Sequence, residues 1–379
     1  MPESPQIHVL QLVRALDVGG LETVVVNLIN GLQERSGVTV SLGCLHHTGE
    51  YAKRINVDSM WVGGSNTETS FLSLKDLLSL RRFIIQHKVD LIHSHNPVPH
   101  RYAAVAHLLT GRPIVHTRHG RNYPGNKRAV WLNRQYARLT REIVAVSDDA
   151  LAVAKGIEHI PEYRLTLLRN GIDTTQFNPS DQETKRALRQ ERGIETEAFV
   201  IGSVGRLAVE KNYGLLLDAV KRLGQQAPET VAEVVLVGDG ACRNELEAMA
   251  RNELPGIKCH FPGMRSDIHE WISCFNLFCL SSHTEGTSMT LLEAGATGLP
   301  AVVTDVGGNS EVVVQGKTGL VVPPKDAEAM VAAFLRLAND CELRKSMGMA
   351  AREHIQNNYS VESMVGKYLL LYKSAIDTL

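Results

Sequence analysis

Short apolar runs rich in Val, Ile and Leu alternate along the chain with stretches in which apolar residues recur every three to four positions. The short runs predict buried strands, and the 3.6-residue recurrence predicts helices. In the first part, strands are expected over 7–13, 38–45, 59–62, 91–95, 114–119 and 143–147, with helices near 21–34, 73–87, 99–109, 127–141 and 148–157. The second part repeats the alternation. Its strands are expected over 199–204, 233–237, 257–261, 277–281, 301–305 and 319–322, and its helices near 212–224, 243–252, 267–273, 289–297, 326–338 and 341–356. Such alternation demands crossover connections, and so parallel sheets with helices on both faces. The aperiodic stretch 169–180, RNGIDTTQFNPS, reads as the join, and 361–379 is a separate helical pattern. The fold class expected is α/β, with two doubly wound parallel-sheet (Rossmann-like) domains facing a cleft.

Composition fits a folded protein. Of 379 residues, 44% are hydrophobic and 21% charged, which excludes a disordered or collagen-like chain. No stretch approaches the roughly 20 apolar residues that span a bilayer. The opening MPESPQIHVLQLV has no basic segment ahead of its apolar run, so no signal peptide is expected and the cytoplasm is the expected location. Net charge is −1, yet residues 1–175 hold 20 Lys and Arg against 15 Asp and Glu, and 11 of the 15 His. No basic block is dense enough for nucleic acid. Six cysteines form no C-x-x-C pair and read as free thiols in a reducing compartment.

Three segments carry candidate chemistry. Leu16-Asp17-Val18-Gly19-Gly20-Leu21-Glu22 follows the first strand and opens a helix, so amides of Gly19 and Gly20 can approach an anion such as phosphate. A plain strand–helix turn is the alternative. No G-x-G-x-x-G stands there and no phosphate-loop motif stands anywhere. In the second part Arg206 is expected at a strand's carboxyl end and Lys211 at the opening of the next helix, two cations suited to clamp a diphosphate without a metal. The third segment runs from Leu280 to Ala294. It puts Glu285 in the loop after a strand and Glu293 about two turns into the following helix, with the amides of Gly286, Thr287 and Ser288 at the helix start. Carboxylates for sugar hydroxyls beside amides for phosphates describe a nucleotide-sugar site.

The Gly-Gly turn, Gly205-Arg206-Leu207 with Glu210-Lys211-Asn212, and the two glutamates eight apart followed by Gly298-Leu299-Pro300 resemble retaining glycosyltransferases of GT-B architecture, family 4 (glycosyl transferases group 1). Asn170-Gly171-Ile172-Asp173, Leu236–240 and Asp305–311 are similar to family segments. Gly19–22 and His116–121 resemble sugar transferases of exopolysaccharide type. The resemblance implies residues 1–170 as an acceptor-side domain, 171–358 as a nucleotide-sugar donor domain, and 359–379 as a helix packing back on the first. It implies that Gly19 and Gly20 offer amides to the diphosphate, Arg206 and Lys211 neutralise it, Glu285 binds the transferred sugar and Glu293 the ribose. Gly286, Thr287 and Ser288 would add amides, Gly263-Met264-Arg265 would flank the base, and His119 would sit beside donor sugar and acceptor. A UDP- or GDP-linked sugar is then a substrate, the partner is a glycan or lipid-linked acceptor, and no cofactor is implied. No D-x-D motif offers a metal site, so metal independence is expected. The alternatives are a nucleotide-sugar 2-epimerase of the same fold and a non-catalytic nucleotide-sugar-binding subunit.

Two weaker signals remain. His93, His95, His100, His116 and His119 lie at neighbouring strand ends and read as cleft-lining or satisfied core imidazoles ahead of a zinc cluster. Lys127, Arg134, Arg138 and Arg141, with Trp131 and Tyr136, form a basic face that can meet an anionic membrane at its inner side, or simply a solvated face.

Overall fold

A computed structural model describes residues 7–64, 72–119, 127–228, 230 and 232–377. The chain divides into two compact units, Met1–Gly171 with Val361–Leu379, and Ile172–Ser360. The first unit holds β1 (Ile7–Val13), β2 (Val38–Cys44), β3 (Ser59–Val62), β4 (Leu91–His95), β5 (Ile114–Arg118), β6 (Glu142–Ala145) and β7 (Leu165–Leu167). They form one sheet in the order β3-β2-β1-β4-β5-β6-β7, every pair parallel. The second unit holds β8 (Phe199–Val204), β9 (Ala232–Val237), β10 (Lys258–Gly263), β11 (Leu277–Leu280), β12 (Ala301–Thr304) and β13 (Gly319–Val322). Their order is β10-β9-β8-β11-β12-β13, again all parallel.

The central strands are buried on both sides, as parallel strands covered by crossover helices must be, whereas the edge strands β3, β7 and β10 are only partly buried. All five residues of β4 and all six of β8 are buried. The first core gathers Leu10, Leu12, Ile92 and Ile114 under Trp61, Leu80 and Tyr102. The second gathers Ile201, Val234, Leu277 and Val302 under Leu217, Met330 and Phe334. In each sheet the strand order reverses once, between β1 and β4 and between β8 and β11. Loops at the carboxyl ends of those paired strands diverge and leave a crevice, where ligands of open α/β sheets bind.

Several short or polar elements among the described residues escape the periodicity reading. β7 has only three residues. The helix Gln182–Glu191 is strongly polar and buries only Arg189, whose guanidinium reaches the carbonyls of Cys274, Thr196 and Ala198. The four-residue helix Asn309–Val312 is too short to show a period. The helix Val361–Asp377 belongs to the first unit and buries Tyr368 and Tyr372 there. Cys44, Cys274 and Cys279 are buried free thiols, whereas Cys341 is exposed at a helix start. No helix of the described residues is long and apolar enough to cross a membrane.

The basic face expected over 127–141 is shorter than its spacing suggests. The helix ends at Arg138, so Arg141 lies beyond it. Arg134 turns inward and donates to the Glu158 carbonyl at 2.6 Å, and Tyr136 packs against the core. Lys127, Arg128, Trp131 and Arg138 remain outward, Trp131 57% exposed.

Candidate active site

In the second unit the two loops at the switch point carry the main candidates. After β8 the chain passes Arg206, makes a short 3-10 turn Val209–Lys211, and enters the helix Tyr213–Gln226 through Asn212 in the left-handed region, φ 49°. Lys211 therefore closes that turn; it does not open the helix as its spacing suggested. Its ammonium donates to Glu285 Oε1 at 2.6 Å. Ser282 Oγ donates to the same oxygen at 2.6 Å. Both side chains are shielded, with 19% of Lys211 and 9% of Glu285 exposed. The loops are tied further by Ser281 Oγ donating to the Lys211 carbonyl at 3.1 Å and by the His283 amide donating to the Glu210 carbonyl at 2.8 Å. The two loops thus form one hydrogen-bonded piece.

Arg206 differs. It pairs with Glu210, and 72% of its side chain faces solvent. A pair so exposed contributes about 0–1 kcal/mol, so an incoming anion can displace Glu210 at little cost. Each cation thus rests against a carboxylate, Arg206 at the surface and Lys211 in a sheltered position.

Glu285 is backed from behind. A Cβ on Gly307, at φ +54°, would lie 1.9 Å from the Glu285 carbonyl oxygen, and one on Gly308 would lie 2.7 Å from that of Gly286. Only glycine lets the loop after β12 approach so closely. The Gly308 amide also donates to the Gly286 carbonyl at 3.3 Å. The Asp305–311 segment therefore supports the Glu285 loop. Gly286 and Thr287 precede the helix Met289–Ala296, and Ser288 is its N-cap residue. Glu293 is the fifth residue of that helix and 7% exposed. It stands one turn in, not two, because the helix starts only at Met289. Gly263 is the last residue of β10 rather than the first of a loop, and its carbonyl accepts from the Gly238 amide at 2.9 Å. Met264 is 67% exposed, and Arg265 pairs with Asp267 at 2.8 Å.

In the first unit Gly19 is the N-cap residue of the helix Gly20–Gln33. A Cβ there would meet Glu22 Oε2 at 2.3 Å, so the carboxyl of Glu22 lies against this helix start. Burial raises the Glu22 carboxyl above its ordinary range. The helix start at which an anion is expected thus has an acid of its own helix against it, which the Gly-Gly pattern did not reveal. His119 follows β5, and its Nε2 lies 2.8 Å from His95 Nδ1. Burial pushes the His119 imidazole down to about 3, which keeps it neutral at physiological pH. Gly120 and Arg121 of the same motif lie outside the described residues. The remaining histidines bind hydroxyls or stack: His93 Nε2 with Thr117 Oγ1 at 2.7 Å, His100 Nε2 with Thr140 Oγ1 at 2.7 Å, and His100 on His116 with ring centres 3.8 Å apart.

Sequence reading assigned no contact to Ser282, Glu210 or the Gly307-Gly308 buttress. Glu210 stood within the Glu210-Lys211-Asn212 motif but not as the partner of Arg206, and Ser282 carries no motif beyond closeness to Glu285. The glycine pair was visible, but its target is a loop more than 20 residues earlier in the chain.

The chain resembles known proteins in sequence and in fold. Residues 18–176 match the Glycosyltransferase Family 4 model and residues 184–354 match the Glycosyl transferases group 1 model. The chain is 27% identical over 310 residues to the UDP-Gal:alpha-D-GlcNAc-diphosphoundecaprenol alpha-1,3-galactosyltransferase of Escherichia coli, covering 79% of each chain. It is 30% identical over 216 residues to the lipopolysaccharide core biosynthesis mannosyltransferase LpsB of Rhizobium meliloti, covering 55% of this chain and 60% of that one. In fold it is similar to a glycosyltransferase from Rickettsia africae, TM-score 0.86 at 21% identity over 98% of this chain and 99% of that one. HepE of Anabaena, solved in complex with UDP, gives TM-score 0.84 at 20% identity over 97% and 100%. With the two models accounting for both units in their order along the chain, this protein belongs to the family 4 glycosyltransferases of GT-B fold.

Proposed function

We propose that this glycosyltransferase moves a sugar, with retention of anomeric configuration and without a metal, from a nucleotide-diphosphate donor to a hydroxyl of a glycan or lipid-linked acceptor. The observation that carries the reading is the sheltered Lys211–Glu285–Ser282 cluster across the β8/β11 switch point. UDP is the favoured nucleotide. The E. coli relative is named for a UDP-Gal donor and a diphosphoundecaprenol acceptor, and HepE was solved with UDP.

Transfer breaks the bond from the anomeric carbon to the diphosphate oxygen, and the bonding pair leaves with the diphosphate. The acceptor oxygen forms the new bond on the same face, and its proton passes to the departing diphosphate. The barrier lies in separating a cationic ring from an anionic leaving group, so fixed positive charge near the leaving oxygens supplies most of the catalysis. Lys211 and Arg206 take that role, with amides of Gly286, Thr287 and Ser288 beside them. Glu285 holds hydroxyls of the sugar and Glu293 those of the ribose. Gly263, Met264 and Arg265 border the base. In the first unit, Gly19 and Gly20 offer amides to the diphosphate, and His119 neighbours the sugar. The absence of a D-x-D motif and the presence of two cations support metal independence.

The test is transfer from UDP- and GDP-sugars to a polyprenyl-diphosphate-linked sugar in excess EDTA. Undiminished turnover is expected, with a product anomer matching the donor. Loss of activity on chelation, or an inverted product, overturns the metal-free or retaining part. Acceptor-free incubation that returns an epimerised donor points to a 2-epimerase, and binding without transfer points to a non-catalytic subunit. Association with an anionic membrane is expected through Lys127, Arg138 and Trp131, with Arg128 beside them. Full-length protein should co-sediment with phosphatidylglycerol vesicles at low salt and release as salt rises. Failure to sediment at low salt removes that part.

A further inference from the structure

The buried side chains around His119 form a hydrogen-bonded chain whose direction can be read residue by residue. Gln11, on β1, is fully buried. Its Nε2 donates to the Tyr372 hydroxyl at 3.1 Å, and its Oε1 lies 2.8 Å from His95 Nε2. His95 Nδ1 lies 2.8 Å from His119 Nε2. On the other branch the Tyr372 hydroxyl lies 2.7 Å from His93 Nδ1, and His93 Nε2 lies 2.7 Å from Thr117 Oγ1.

A neutral imidazole has one N–H and one lone pair, and an amide oxygen only accepts. His95 must therefore donate from Nε2 to Gln11, which leaves its Nδ1 as an acceptor. His119 must then donate from Nε2 to His95, and its own Nδ1 keeps the lone pair. On the second branch the amide of Gln11 feeds the Tyr372 oxygen, Tyr372 donates to His93 Nδ1, and His93 donates to Thr117. Every contact is consistent with this direction. The Nδ1 of His119 is buried and meets no hydrogen-bond partner among the described residues.

We propose that Gln11 is the positioning residue that holds His119 protonated on Nε2, so that Nδ1 of His119 is a hydrogen-bond acceptor reserved for a hydroxyl. The proton arrangement stands on the first unit alone; its use in sugar transfer rests on the function proposed above. A lone pair at Nδ1 welcomes a sugar or acceptor hydroxyl and repels a phosphate or carbonyl oxygen. A neutral imidazole this reluctant to gain a proton orients a hydroxyl without removing its proton, so the acceptor's proton must go elsewhere. Turning the Gln11 amide over would reverse every donor between Tyr372 and His119, and His119 would then offer an N–H instead.

The two arrangements separate in long-range proton–nitrogen NMR of the full-length chain with heavy-nitrogen histidine at neutral pH, the His119 signals being assigned by their loss in His119→Asn. The expected wild-type pattern is a protonated Nε2 and a bare Nδ1 on His119. Gln11→Glu, which keeps an accepting oxygen, should retain that pattern and most of the turnover. Gln11→Leu should give mixed tautomers and lower kcat about tenfold or more, with KM for the donor little changed. Tyr372→Phe, which releases the amide, should mix the tautomers too and serves if Gln11→Leu does not fold. A bare Nε2 in the wild type overturns the assignment. A single unchanged tautomer in Gln11→Leu or Tyr372→Phe overturns the role of Gln11. The expected spectra with no transfer from any nucleotide sugar would instead count against the proposed function.

Discussion

Lys211→Ala is expected to reduce kcat by about two to three orders of magnitude, corresponding to roughly 3–4 kcal/mol of lost transition-state stabilisation. Lys211 is the sheltered cation of the switch-point cluster, and its charge acts with little competition from water. The same change removes the partner 2.6 Å from Glu285, a carboxylate only 9% exposed. Leaving such an acid unpaired destabilises the fold by as much as about 3–5 kcal/mol in fully buried cases. The thermal midpoint should therefore fall as well, and Lys211→Arg, which keeps the charge, should restore part of both. Arg206→Ala separates the two effects. Its pair with Glu210 is solvent-exposed, so the midpoint should stay almost unchanged while kcat falls. Steady-state kinetics with melting curves on the three variants check this. Wild-type turnover in Lys211→Ala would remove the residue from the mechanism.

The first unit is expected to lose stability steeply below pH 6.5, while the second does not. Burial holds His93, His95 and His116 well below their ordinary value and brings His100 and His119 to about 3. Arg118 and Arg101 add to the effect at His100. A folded state that refuses protons which the unfolded chain accepts is fully stabilised above the unfolded value of about 6.5. That stability is lost progressively as pH falls from there toward the folded values. Between pH 7 and 5.5 the loss is on the order of 1 kcal/mol for each histidine, or some 5 kcal/mol for five, comparable with the stability of a domain. Among the described residues no histidine of the second unit is fully buried. Hydrogen exchange followed by mass spectrometry should show protection of β4 and β5 collapsing between pH 7 and 5.5, while β8 and β9 keep theirs. Equal pH dependence in both sheets would refute the assignment.

The alternation of apolar runs with helical periodicity was enough to read twelve of the thirteen strands among the described residues and the parallel character of both sheets. Parallel strands are buried on both faces, and that condition is written directly as unbroken Val, Ile and Leu. β7 and the helix Gln182–Glu191 were not legible. One is too short to show a pattern, and the other docks through buried guanidinium hydrogen bonds in place of an apolar stripe. The order of motifs also carried the family, since Arg206, Lys211 and Glu285 each follow a strand's carboxyl end in the linear text and Glu293 lies in the helix after the last of them.

Linear spacing determined where along the chain the charged groups fall, and with them the α/β class and the family. It did not determine what each group touches. That Lys211 rests on Glu285, that Arg206 rests on Glu210, that Gly307 and Gly308 prop the Glu285 loop, and that Gln11 reaches both Tyr372 and His95 follow only from the folded chain. The physical reason is that apolar patterning acts between neighbours in sequence, whereas hydrogen bonds and ion pairs are chosen among groups that turn geometry and the packing of strands, loops and helices bring within about 3 Å.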